Sequence, residues 1–474
     1  MYWSRYNIIT RAGEEFAILN PLSGNFDFFS AGEKPAIDRI REESVGAGTA
    51  GPETGPAERI KAPPAGEIEA DSQAKLAGYL AERGYLFNSR GDEERLLRKK
   101  HLEFEMLMAE TPTQILLVPT YGCNLACSYC FQKDIRNSDL ITREAVDAFF
   151  KHIETHHRDK PARPFITLFG GEPLVNSPAQ REIISYIVGR AMELGYELAA
   201  VTNGFDLIDY VDVLKGAKIR EIQVTVDGPR EVHDARRATA NGKGTFDRII
   251  AGIGKAIEAG FPINFRVVLD RDNVGALVPL AELLDQRGWL DLGPERFKTQ
   301  IGRNYELFDC SVTPQSLMTE VDLWRAVIDL AAEHPIVGNF HRPEFKGIGY
   351  LAETGELYTP TFDTCPAYKS EWVYDLHGDI YGCTASCGRR EYRGGTFYPE
   401  TTLDRTEIEQ WERRDILNIP ECRECDAAML CGGGCGVMGR NRHGRVLGPD
   451  CRPVKELLEL GVEYYSAELA RLAS

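Results

Sequence analysis

The chain has 474 residues, with 55 Lys and Arg against 72 Asp and Glu and a net charge of −17 at pH 7. That balance argues against nucleic acid or an anionic membrane surface as a partner. The length allows about two to four domains, and the 43% hydrophobic content is ordinary for a globular protein. No apolar run is long enough to span a bilayer. Arg5, Arg11, Glu14 and Glu15 interrupt the N-terminus where an apolar signal would stand, so a cytoplasmic location is expected. The twelve cysteines then read as metal ligands rather than disulfides. They fall into two groups, with Cys310 apart as an inert core thiol.

In chain order, residues 1–110 read as three short strands, Tyr6–Ile9, Phe16–Leu19 and Phe26–Phe29, followed by helices over about 32–43, 72–83 and 93–108. Residues 46–67 are rich in Gly, Pro, Ala and Glu without periodicity and read as a flexible insertion. The β-then-α pattern is similar to peptide-recognition elements fused to enzymes that modify ribosomally made peptides. Such modules hold a leader peptide as an added strand. A purely structural extension is the alternative.

Residues 111–305 alternate strands and helices. The strands are Ile115–Val118, Phe165–Phe169, Leu198–Val201, Ile222–Val226, Phe265–Leu269 and Phe297–Ile301. The helices lie near 143–155, 178–194, 210–215, 246–259 and 276–286, the second signalled by Ser177 as cap and Pro178 at its first position. Repeated βα units predict an α/β fold, a parallel sheet curling into a partial (β/α)6 barrel. Ligands gather at the C-terminal ends of such strands. There stand Cys123, Cys127 and Cys130, spaced C-x3-C-x2-C, with Tyr129 beside the last. Three thiolates hold three irons of a [4Fe–4S] cluster and leave the fourth open to a small molecule. A structural zinc site with a distant fourth ligand is the alternative on spacing alone.

Later strand ends carry Gly170-Gly171-Glu172-Pro173, Thr202-Asn203-Gly204 and Thr225-Val226-Asp227-Gly228-Pro229, with His233, Asp234, Arg236 and Gly242-x-Gly244 following. Taken with the cysteine loop, these resemble the radical S-adenosylmethionine (SAM) superfamily. The resemblance implies that Gly170, Gly171, Glu172 and Pro173 hold the methionine amino group. Thr202 and Asn203 suit a ribose, and Tyr129, Thr225 and Asp227 would join the cofactor site. Arg266, on the fifth strand, would pair with the SAM carboxylate or form a core ion pair.

Residues 306–360 read as a bridge with a helix near 323–332. Residues 361–474 carry Cys365, Cys383, Cys387, Cys422, Cys425, Cys431, Cys435 and Cys451. Their order resembles the seven-cysteine SPASM pattern, and this implies two auxiliary [4Fe–4S] clusters. Cys422, Cys425, Cys431 and Cys451 would hold the outer one. Cys365, Cys383 and Cys435 would hold the inner one, with Cys387 as the expected fourth ligand or an open iron in its place. A zinc ribbon would use only four of these thiols.

The resemblance thus implies three [4Fe–4S] clusters and SAM, a 5′-deoxyadenosyl radical as the agent, and a precursor peptide or small protein as substrate. It also implies a low-potential donor such as flavodoxin or ferredoxin. Length and N-terminal extension are most similar to maturases that install Cys-derived thioether links, among them those of the quinohemoprotein amine dehydrogenase small subunit. Carbon–carbon cross-linking, epimerisation and formylglycine formation are the other enzymatic readings. An iron–sulfur electron carrier or scaffold is the non-enzymatic one. No side chain stands out as a general base.

Overall fold

The computed structural model describes residues 1–46, 70–158, 160–304 and 314–472. The expected insertion at 46–67, save its first residue, lies outside these, as does Cys310.

The chain opens with β1 (Tyr2–Trp3), β2 (Ile8–Ala12), β3 (Glu15–Asn20) and β4 (Asn25–Phe29). α1 (Lys34–Gly46), α2 (Ala70–Glu82), β5 (Leu86–Phe87) and α3 (Arg90–Glu110) follow. β2, β3 and β4 form an antiparallel sheet, and β1 pairs with β5. Trp3, Phe16, Ile18, Phe29, Ile37 and Leu80 make a small core between sheet and helices. This unit is also cemented to the far end of the chain. Ile8 and Leu19 pack on Leu457, Leu458 and Val462 of helix Val454–Tyr464, and Tyr6, Leu22 and Leu97 pack on Phe362, Ile416 and Met429. At about 1.5–3 kcal/mol per fully buried large apolar side chain, that contact is far stronger than a tether.

Next come β6 (Gln114–Val118), α4 (Arg143–His156), β7 (Phe165–Leu168), α5 (Pro178–Leu194), β8 (Leu198–Thr202), α6 (Leu207–Leu214), β9 (Ile219–Thr225), α7 (Arg230–Arg236), α8 (Phe246–Glu258), β10 (Ile263–Leu269), α9 (Leu277–Gln286) and β11 (Phe297–Arg303). Strands β6 to β11 stand side by side in sequence order, and every neighbouring pair is parallel. Apolar strand residues and the inner helix faces form one core, as buried crossover helices require. Ser177 Oγ accepts from Gln180 N at 3.2 Å to start α5, and Gly195 ends it in the left-handed conformation. The short α7 was not anticipated, being too brief to show a period.

α10 (Glu320–Glu333) leads through short helices to β12 (Glu371–Asp375), β13 (Asp379–Tyr381), β14 (Arg393–Thr396) and β15 (Thr402–Leu403). β12 pairs in parallel with β6, Glu371 opposite Gln114, and β13 to β15 continue as an antiparallel meander. Among the described residues the sheet therefore has ten strands and runs without a break from the barrel into the cysteine-rich region.

Candidate functional site

The loop after β6 is held by its own backbone and by the end of β7. Thr120 Oγ1 donates to Asp139 O at 2.7 Å and accepts from Gly122 N at 2.9 Å. Gly171 N donates to Thr120 O at 3.0 Å and Glu172 N to Gly122 O at 2.8 Å. A Cβ on Gly171 would lie 2.2 Å from Gly122 O, and one on Gly170, at φ +128°, would lie 2.4 Å from Thr120 O. The glycine pair lets the cysteine loop lie directly on the strand end.

Cys123, Cys127 and Cys130 line a cavity of about 450 Å³. All six barrel strands or their ends reach it, through Leu116, Gly170, Thr202, Thr225, Arg266 and Arg303. The parallel sheet must therefore curl around this space. Burial pushes the Cys123 thiol up to about 11 and raises Cys127. Such thiols keep their protons until a metal takes their place. Three convergent thiols beside open volume fit a cluster with one free iron.

Glu172 and Pro173 stand behind the cavity wall. Glu172 is 1% exposed, and its carboxylate accepts from Leu174 N at 2.8 Å, Thr202 Oγ1 at 2.7 Å and Asn203 N at 2.5 Å. Burial outweighs these donors and pushes its carboxyl up to about 7. The carboxylate expected beside a ligand is thus an internal latch between the ends of β7 and β8, and only Gly170 and Gly171 of that turn reach the cavity. Asn203 Nδ2 donates to Asn124 Oδ1 at 2.8 Å and lies 3.7 Å from Cys123 Sγ, which draws the end of β8 onto the loop.

On the opposite wall, Tyr129 Oη donates to Asp227 Oδ2 and accepts from Arg237 Nη1 at 2.6 Å. The Arg236 guanidinium lies 5.1 Å from the centre of its ring. Asp227 is fully buried and also accepts from Val268 N at 3.1 Å, so it holds Tyr129 rather than facing the cavity. His233 is buried behind it, accepting from Asp227 N at 3.2 Å, and burial pushes its imidazole down to about 3. Thr225 and Arg266 line the cavity. Arg266 forms no ion pair with a described residue, and its buried Nε has no hydrogen-bond partner. The same holds for Nε of Arg237, a cavity residue that sequence reasoning missed. Its signal was the doubled Arg236-Arg237 after His233.

The C-terminal thiols gather in two places. Cys365, Cys383, Cys431 and Cys435 line a cavity of about 300 Å³. Cys422 feels the charges of Cys431, Cys425 and Cys451, and burial pushes its thiol up to about 12. Cys425 and Cys451 are exposed. Among the described residues no group of three or more His, Cys, Asp or Glu side chains stands as a single ion needs; Cys123, Cys127 and Cys130, and Cys365, Cys383, Cys431 and Cys435, instead line cavities. Arg414, also unanticipated, ties the segments together. It is fully buried, donating from Nε to Val446 O at 3.0 Å and from Nη2 to Gly433 O at 2.7 Å and Gly448 O at 3.1 Å. Nη1 lies 3.6 Å from Asp363 Oδ1, which itself accepts from Cys365 N at 2.9 Å.

Cys387 does not join these thiols. Its N–H donates to Cys383 O at 3.2 Å, yet it is not among the residues that line the cavity. Its thiol donates to Thr384 O at 3.3 Å and lies 3.8 Å from Gln132 Nε2. It is buried among Tyr121, Gln132 and Asp375, behind the first cysteine loop. The structure separates Cys387 from the set it was expected to complete.

The cavities adjoin one another. Glu371, Thr384 and Ala385 line both the first and the inner auxiliary one. A third space of about 790 Å³ shares Arg266 and Arg303 with the first and runs past Trp324 to Cys451.

Residues 117–284 match the model of the Radical SAM superfamily. An AdoMet-dependent heme synthase of Methanosarcina barkeri is 30% identical over 189 residues, 38% of this chain and 49% of the relative. The chain spans about half the length of the first curated relatives it matches. A serine-type anaerobic sulfatase-maturating enzyme of Bacteroides thetaiotaomicron is 24% identical, over 68% of this chain and 82% of that one. Among solved structures, anSMEcpe with bound AdoMet and the Kp18Cys peptide superposes with a TM-score of 0.55 at 18% identity, covering 76% of this chain and 98% of that one. Streptococcus suis SuiB bound to precursor peptide SuiA superposes with a TM-score of 0.50 at 13% identity, covering 96% and 99%.

Proposed function

With residues 117–284 a radical SAM domain, we propose that the protein is a radical SAM maturase acting on a ribosomally made peptide or small protein, and that it installs Cys-derived thioether cross-links. The observation that carries this reading is the cavity in which Cys123, Cys127 and Cys130 stand with Arg237 and Arg266, each of which has a buried Nε without a hydrogen-bond partner. A [4Fe–4S] cluster and SAM, when bound, supply reductive cleavage to methionine and a 5′-deoxyadenosyl radical, and so the removal of an unactivated hydrogen.

The chain's own residues bind and orient. Cys123, Cys127 and Cys130 hold the cluster. Arg266, whose Nε has no partner, takes the SAM carboxylate as a charge-assisted pair. Thr225 and Asn203 suit the ribose, and Tyr129, clamped by Asp227 and Arg237, walls the site. The C-terminal thiols suit two auxiliary clusters, which would accept the electron left on the substrate, with a flavodoxin- or ferredoxin-type donor serving the first cluster. The space of about 790 Å³ between β11, α10 and the Cys451 loop leads into the cavity and suits an extended peptide. One edge of β4 has no strand partner among the described residues, as a module that takes a leader peptide as an added strand requires.

A second reading, oxidation of a sulfatase residue to formylglycine, is favoured by the sulfatase-maturating relative. The N-terminal unit speaks for the first, since the likeness to SuiB extends over 96% of this chain. Mass spectrometry of a candidate precursor after co-expression tests the choice. Loss of a hydrogen pair together with loss of one alkylatable cysteine thiol per cross-link supports the thioether, whereas a hydrogen pair lost with every thiol still alkylatable marks a carbon–carbon link or serine-derived formylglycine and overturns it. Formylglycine, or an unchanged mass with inverted residues, overturns it. Slowed amide exchange at Asn25–Phe29 on adding precursor is the expected mark of leader binding.

A further inference from the structure

Cys365, Cys383 and Cys435 leave one corner of a four-iron cluster without a protein ligand. After Cys365 the chain turns back on Pro366, whose carbonyl accepts from the N–H groups of Lys369, Ser370 and Glu371, each at 3.0 Å. The turn sets Glu371 at the head of β12 and on the wall of the cavity that these three thiols line together with Cys431, a thiol of the outer set. Glu371 Oε1 accepts from Thr384 N, the peptide that follows Cys383, at 2.7 Å. No described residue hydrogen-bonds its second oxygen or forms an ion pair with it, although Lys346 and Arg452 line the same cavity. A half-buried carboxylate without an ion pair is stabilised when it coordinates a metal.

We propose that Glu371 is the fourth protein ligand of the inner auxiliary cluster, completing Cys365, Cys383 and Cys435. The inference rests on the reading that these thiols hold a cluster. A carboxylate brings the same unit negative charge as a thiolate but a harder donor atom, so it alters the iron it binds without altering the net charge of the set. It also leaves no iron open to a substrate sulfur, which assigns the inner cluster to electron acceptance rather than to anchoring a thiol. Since Glu371 lines the first cavity as well, the ligand itself forms part of the wall between the two.

Iron content and Mössbauer and EPR spectra of the anaerobically reconstituted full chain test this. Wild type is expected to hold about twelve irons. Glu371→Ala should lose about one to four of them and change one auxiliary signal. Glu371→Cys should restore the iron with a spectrum shifted toward all-thiolate ligation, and Cys387→Ala should match wild type. Wild-type iron and spectra in Glu371→Ala, or iron loss in Cys387→Ala alone, overturn the assignment. Should Glu371→Ala prove insoluble, Glu371→Cys decides by itself, and an auxiliary spectrum identical to wild type overturns the assignment. Wild type with iron for only about one or two clusters overturns the underlying reading, and the inference with it, in a way the variants do not mimic.

Discussion

The two cysteine regions solve the same chemical problem with different parts. The first takes its three thiols from one loop at a strand end, and the fold adds only a floor of two glycines and a latch at Glu172. The C-terminal region draws its thiols from segments between Cys365 and Cys451, and these are drawn together by Arg414, Asp363 and Gly432-Gly433-Gly434, all three glycines left-handed. Both sets line cavities; in the ligation proposed above, the first keeps a corner open and the inner C-terminal one is closed by Glu371. An open position is what a reacting centre needs, and closure is what an electron store needs.

That contrast is broken most directly at the first loop. The triple variant with Cys123, Cys127 and Cys130 changed to Ala should form no 5′-deoxyadenosine and lose about four irons per chain while the auxiliary spectra remain. Retained SAM cleavage would abolish the distinction between the two sets. The next effect in size falls on the closed region. Arg414→Met leaves the carbonyls of Gly433, Val446 and Gly448 without their buried donor while Asp363 keeps Lys369, and should cost about 3 kcal/mol, read as a lowered denaturant midpoint. An unchanged midpoint would mean the segments assemble without it.

Arg266→Met sharpens the role of the open set. Loss of a charged hydrogen bond of about 1.5–3 kcal/mol should weaken SAM binding about 10- to 100-fold, with iron content unchanged. The smallest effect is a pH dependence at the seam. His157 at the end of α4 meets Tyr374 Oη of β12 at 2.7 Å, and burial pushes its imidazole down from 6.5 to about 3. His152 beside it is pushed down to about 4. Both stay neutral in the folded chain while the unfolded chain takes up protons, so their stabilisation is full above about 6.5 and is lost as pH falls toward 3. Stability should fall by on the order of 1 kcal/mol per pH unit below that point, and His157→Gln should flatten the slope.

Much of this architecture is legible in the residues. The six apolar runs became the six barrel strands, because buried parallel strands announce themselves as short branched stretches closed by glycine or proline. The thiol spacing placed Cys123, Cys127 and Cys130 on one wall for the same local reason. What escaped is what depends on distant backbone. Arg414 has no motif, since its partners are carbonyls at Gly433, Val446 and Gly448. Cys387 looked close enough to serve because it is near Cys383 in sequence, but its thiol meets Thr384 O and Gln132, a residue far away in the chain. Glu371 went unnoticed because a carboxylate among thiols has no spacing rule, and only the reversal at Pro366 brings it to the cavity.

The pairing of β6 with β12 has a consequence for how the protein is made. Gln114 finds its neighbour Glu371 only after roughly 250 further residues have been synthesised, at 5–20 residues per second some 13–50 s later. Through that interval Ile115-Leu116-Leu117-Val118 waits on the ribosome as a strand with one bare, apolar edge, the kind of surface that recruits other chains. Fragments ending before Asp375 should therefore aggregate, however complete their barrel, and yield of the full chain should rise when translation is slowed less or a chaperone covers that edge.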